Sequence, residues 1–186
     1  MTGAKSVNDK EVCLESSDFE FNYQVSLTKK LDASVNVVNQ ELINEIVLWK
    51  VNRYAEFDES TLNALNSNRL KSKEIDIDYT KEVLNQLLYQ KGVQLPMAST
   101  ILRFINPDVY QIIDQRVYRI LYNGKSLKLK SINNEKNNKE QTEIYLQYLT
   151  DLREFAEILL IPFRDADRIL YKADKRINKD VKLENY

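Results

Sequence analysis

The sequence predicts a mainly α fold, a multi-helix globule, and three observations predict it. Apolar residues recur at spacings of three and four through most of the chain from Val38 onward. Polar residues suited to helix starts, and prolines or glycines suited to helix ends, punctuate those stretches. Against them stands one clear period of two, near the N-terminus. The 186 residues suffice for a single buried core, with about 70% of the unfolded surface removable on folding.

Residues 1–17 are polar, with scattered Asp, Glu and Ser, and read as a loose lead-in to one helical domain over 18–186. Phe19, Phe21, Tyr23, Val25 and Leu27 alternate with Glu20, Asn22, Gln24 and Ser26, the pattern of a short β-strand. Leu127 and Leu129 alternate in the same way and offer a short second strand. Over residues 38–54, Leu42, Ile46, Trp49 and Arg53 fall at helical spacing, which predicts a core helix. Ser60 and Thr61 start another helix running to Asn66, and residues 78–80 cap a third whose buried stripe is Val83, Leu84, Leu87 and Leu88.

After Gly92, Pro96 sits in the first turn of a helix with Met97, Ile101, Leu102 and Ile105 on its apolar face. Asn106-Pro107 ends it. Asp114 is placed as N-cap of a helix over 115–123, with Gly124 just past its C-terminus. The Asn/Lys-rich residues 131–139 read as a surface loop. Two helices complete the chain: 140–160, with Ile144, Tyr148, Leu152, Phe155 and Leu159 inward, and 162–177, with Phe163, Ala166, Ile169, Leu170 and Ala173 inward.

Composition narrows the chemistry. Histidine is absent, which removes imidazole as general base, zinc ligand or triad member and leaves carboxylate, lysine or tyrosine for any proton transfer. Cys13 stands alone, so no intrachain disulfide forms and the four thiolates of an iron–sulfur cluster are missing. Glycines at 3, 92 and 124 build no phosphate-binding glycine loop. We expect no metal and no cofactor. Residues 1–10 lack the apolar stretch of a signal peptide, and no run of 18 apolar residues occurs, so the expected location is the cytoplasm.

Net charge is −1 with a pI near 5.7, which excludes a polybasic protein, but the charge is unevenly spread. Residues 1–90 carry −5 and residues 91–186 carry +4. Between Arg116 and Lys139 the bases Arg116, Arg119, Lys125, Lys128, Lys130, Lys136 and Lys139 face Glu135 alone. This run is either a solvated face or a phosphate-contacting one.

The sequence Gly92-Val93-Gln94-Leu95-Pro96-Met97-Ala98-Ser99, followed by Ile112-Ile113-Asp114-Gln115-Arg116-Val117, resembles the helix-hairpin-helix DNA glycosylase superfamily over residues 87–122. The resemblance implies a helix-hairpin-helix core at 80–123, DNA as a non-specific partner and a role in DNA repair. It makes Asp114 the catalytic carboxylate for cleaving an N-glycosidic bond. It places Lys91, Gly92, Gln94 and Ser99 in the hairpin region that meets DNA. Pro96 occupies the slot where bifunctional members carry a Schiff-base lysine, 18 residues before Asp114, so only a monofunctional reaction is implied. Gln94 stands where the second hairpin glycine belongs, and Gln90 replaces an apolar residue.

The residues support the same roles physically. A hairpin ending at a helix N-terminus points backbone N–H groups at one phosphate. A carboxylate at the next helix start can stabilise a cationic sugar or activate water once a base leaves the stack. Each residue also has a plainer assignment: Asp114 as helix cap, Arg116 as half of an ion pair, and Tyr79, Tyr89, Tyr110, Tyr118 and Tyr122 as core tyrosines rather than stacking groups. Arg164, Asp165, Asp167 and Arg168 read as the polar first turn of the last helix. The contrasting function is a non-catalytic helical module for protein or nucleic-acid contacts.

Overall fold

The computed structural model describes residues 23–33, 38–51, 55–130 and 134–183. Among them are eight α-helices, two short 3-10 turns and no strand. The described residues fall into two compact units divided between residues 54 and 55.

The first unit is a helix pair, α1 (Val25–Asp32) and α2 (Gln40–Lys50). The strand expected at 19–27 is corrected in its second half; residues 19–22 lie outside the described residues. Val25 and Leu27 belong to α1, because Leu31 follows Leu27 at a spacing of four and Lys29 and Lys30 complement the negative C-terminal end of the helix. Trp49 holds the pair together. Its indole Nε1 donates to Thr28 Oγ1 at 2.9 Å, its carbonyl accepts from Tyr23 and Gln24, and its ring meets Tyr23 edge-on at 5.2 Å. The expected core role of α2 is also corrected: it contains no buried residue, and Ile46 is exposed.

The second unit carries the hydrophobic core and six helices. Asp58 caps α3 (Glu59–Asn66) and Asp76 caps α4 (Ile77–Tyr89), each two residues before the position the sequence pattern favours. In each case the carboxylate accepts the N–H three residues on, Thr61 at 2.7 Å and Tyr79 at 3.1 Å. The buried stripe of α4 includes all four expected residues. It packs against α5 (Leu95–Ile105) and α7 (Glu135–Ile158).

Between α4 and α5 the chain turns in five residues, with Gly92 at φ +81°. That left-handed conformation is ordinary for glycine, and no heavy atom lies within 4 Å of where a Cβ would stand. Gln90 anchors the turn: its amide donates to Asp58 Oδ2 and Thr61 Oγ1. Hydrogen bonds from the Thr61 backbone, Ser60, Thr61 and Gln90 together hold the Asp58 carboxyl well below the usual carboxylate range.

Asp114 caps the short α6 (Gln115–Leu121), and Gly124 follows at φ +87°. The second expected strand is corrected: Leu127 and Leu129 lie in chain without regular secondary structure, and Leu127 is buried in the core. The expected surface loop at 131–139 is corrected from Glu135 onward, where α7 begins with Asn134 as its cap; residues 131–133 lie outside the described residues. Asparagine here is a helix start rather than a breaker.

The last helix, α8 (Ala166–Ile177), follows a 3-10 turn at Phe163–Asp165. The end of α7 stores strain at Leu160, which has φ +54° and is 92% exposed. Glycine is the usual residue there. Leu160→Gly should raise stability by about 0.5–1 kcal/mol, since no packing is lost and the left-handed backbone is relieved. A urea midpoint unchanged or lowered would contradict this.

Candidate functional site

Asp114 stands at the end of a segment with no regular structure, residues 106–114, that runs through the interior. Buried irregular backbone is costly unless each polar group finds a partner. Side chains supply the partners here. Tyr145 donates to the Gln111 carbonyl at 2.9 Å and Tyr148 to the Ile112 carbonyl at 2.7 Å, both from α7. The Ile112 N–H donates to Asp167 Oδ2 in α8, and the Ile113 N–H to Ser99 Oγ in α5. Asn106 donates to the carbonyls of Leu70 and Ser72, and Tyr110 pairs with Thr80 at 2.8 Å. Burial pushes the Tyr145 and Tyr148 hydroxyls well above their ordinary range, so both remain protonated donors.

These contacts place Asp114 on the wall of a cavity of about 480 Å³, open to solvent between the start of α6 and the face of α8. Ligand pockets typically span about 300–1,000 Å³. Ile112, Val117 and Tyr171 give it an apolar lining, and Arg168, Lys172 and Lys175 bring three cations to it from α8. Asp114 is partly exposed; one oxygen, Oδ1, accepts the Arg116 N–H at 2.7 Å as the helix cap. The other acidic residue of the wall, Asp167, is buried and committed, holding the N–H groups of Ile112 and Arg168 and lying 3.8 Å from Arg103 Nε.

The remaining expected contacts are dispersed. Arg119 is buried and grips Asp174 with two nitrogens, Nε to Oδ1 at 2.7 Å and Nη2 to Oδ2 at 2.8 Å. Arg116 adds a third bond to the same carboxylate at 3.1 Å. Asp174 is fully buried. Burial alone would raise its carboxyl, but hydrogen bonds from Arg119, Asn178 and Arg116 outweigh that and hold it below the usual range. Ser99 is also buried, its hydroxyl donating to the Pro96 carbonyl.

Lys91, Gly92 and Gln94 are exposed at the turn, and none of them lines the cavity. Gln94 makes no side-chain cap, and Pro96 removes one of the N–H donors that open the helix. Lys125 and Lys128 are exposed, whereas Lys130 pairs with Glu140. Of the tyrosines near the turn, Tyr79 and Tyr110 are buried, Tyr122 donates to Asp151 at 2.6 Å, and Tyr89 is exposed.

Sequence reasoning missed the cations that share the cavity with Asp114. Their signal is the i, i+4, i+7 spacing of Arg168, Lys172 and Lys175, which puts all three on one face of α8. Among the described residues no helix is long and apolar enough to cross a membrane, and no group of three or more carboxylate or cysteine side chains could hold a metal ion. No family model, curated protein or solved structure matches this chain.

Proposed function

We propose that this is a nucleic-acid-binding protein of the helix-hairpin-helix glycosylase type, in which the cavity beside Asp114 receives a base drawn out of its stack. The observation that carries the reading is the joint placement of a partly exposed carboxylate at a helix start and three cations around one apolar-walled cavity. The apolar walls suit a flat heterocycle, and the cations suit the phosphates on either side of it. Asp114 would stabilise positive charge developing on a sugar or hold a water, and Pro96 occupies the slot where the resemblance puts the Schiff-base lysine of bifunctional members. The phosphate-contacting set is narrower than the sequence pattern alone implies. Arg119 and Ser99 face the interior, and the contacts pass to Arg168, Lys172 and Lys175, with Lys125 and Lys128 outlying.

The test is binding of labelled DNA across a salt series, followed by a base-release assay on duplexes carrying modified bases. Reversing Arg168, Lys172 and Lys175 to glutamate together should weaken binding on the order of a hundredfold at low salt and flatten the slope of log affinity against log salt by about 2–3. Base release by the wild type should be lost in Asp114→Asn. Wild-type binding that is absent, or indifferent to salt and to the reversal, rejects the nucleic-acid reading. Equal release by wild type and Asp114→Asn removes the carboxylate from the chemistry.

The committed Arg116 and Arg119 favour a second reading, in which the same helical unit binds without catalysis and Asp114 acts as cap alone. Salt-dependent binding with no base release by either protein is its signature.

A further inference from the structure

We propose that Phe104 is a stacking platform for an unpaired base, so that the protein grips single-stranded nucleic acid beside the cavity more tightly than intact duplex; this rests on the nucleic-acid reading above. Phe104 lies in the last turn of α5, a helix that buries Leu95, Ala98, Ser99 and Leu102. Phe104 itself is 67% exposed. A phenylalanine left mostly uncovered gains little from burial, yet this one has two cations beside it. The guanidinium carbons of Arg103 and Arg168 lie 5.4 and 5.9 Å from its centroid, within the range of cation–π attraction.

The two arginines differ in what holds them. Arg103 is fixed from behind: it is buried, donates to the Arg164 carbonyl at 3.1 Å and lies 3.8 Å from both Asp165 and Asp167. Arg168 is exposed, pairs with no carboxylate within 4 Å among the described residues, and lines the cavity beside Asp114. The ring and the cavity therefore share one exposed cation.

That arrangement matches the two demands of single-strand binding, an aromatic face for the base and a positive group for the neighbouring phosphate. Duplex DNA offers its phosphates but keeps its base faces stacked, so it engages the cations and not the ring. A base lying on Phe104 would have its backbone at Arg168, one step from the cavity mouth.

The experiment compares wild type, Phe104→Ala and Phe104→Trp for binding a fluorescein-labelled oligothymidine strand and a duplex of equal length at low salt. Phe104→Ala should weaken single-strand binding about tenfold and duplex binding less than twofold. Phe104→Trp should restore single-strand binding and show quenched indole emission in the complex. Because the residue is mostly exposed, urea midpoints of all three proteins should lie close together, which separates recognition from folding. Wild-type binding that Phe104→Ala leaves unchanged overturns the platform while sparing the broader reading. Failure of the wild type to bind either nucleic acid overturns both.

Discussion

Asp174→Ala is expected to destabilise the folded chain by about 3–5 kcal/mol, seen as a fall in the urea midpoint. The carboxylate is fully buried and receives bonds from both Arg116 and Arg119, so its removal leaves a buried guanidinium without a counter-charge. Cost arises chiefly from that stranded charge rather than from the worth of the pair itself. Asp174→Asn should be milder, because the amide oxygen still accepts one bond. The pH dependence follows in sign from the lowered folded-state pKa. Protonating Asp174 is harder in the folded chain than in the unfolded one. Its contribution is therefore complete above the unfolded value of about 3.9 and is lost as pH falls through the lower folded value. Wild-type stability should drop more steeply below about pH 4 than that of Asp174→Asn. Parallel curves would show that this carboxylate is not what acid attacks.

Tyr148→Ala is expected to cost about 3–5 kcal/mol, since it empties a fully buried aromatic site in the middle of α7. Tyr148→Phe isolates the hydroxyl. It keeps the ring and strands the Ile112 carbonyl, a loss of about 1–3 kcal/mol. Because Ile112 is itself a wall of the cavity two residues before Asp114, the phenylalanine variant also tests positioning. On the nucleic-acid reading proposed above, its affinity for DNA should fall together with its stability if the carbonyl bond orients the site. Unchanged affinity in a destabilised protein would confine Tyr148 to packing.

Much of the helical architecture was legible because its causes are local. Pro96 in the first turn of α5, Asp114 as cap of α6 and the left-handed Gly124 each follow from the chemistry of one or two residues. The alternation running from Phe19 to Leu27 misled at its end, because Val25 and Leu27 fit a helix as well as a strand, and the contacts of Trp49 with Thr28 and Tyr23 lie more than twenty positions away. Asn134 misled in the opposite direction, since the composition around it signals a loop while its side-chain Oδ1 caps a helix by accepting the Asn137 N–H. For the site, the acid was legible and its company was not. The ion pairs that withdraw Arg116 and Arg119 join residues 58 and 55 positions apart, a distance at which no local pattern operates. The cavity depends on an irregular segment, which has no period to read.

Residues 106–114 form a loop in topology only, and this sets them apart from connections that tolerate insertion. The carbonyls of Gln111 and Ile112 and the amides of Ile112 and Ile113 are each addressed by a particular side chain from α5, α7 or α8. One added or deleted residue would slide every address out of register at once. The length of this stretch is thus a determinant of where the carboxylate ends up, as much as the identity of any residue within it.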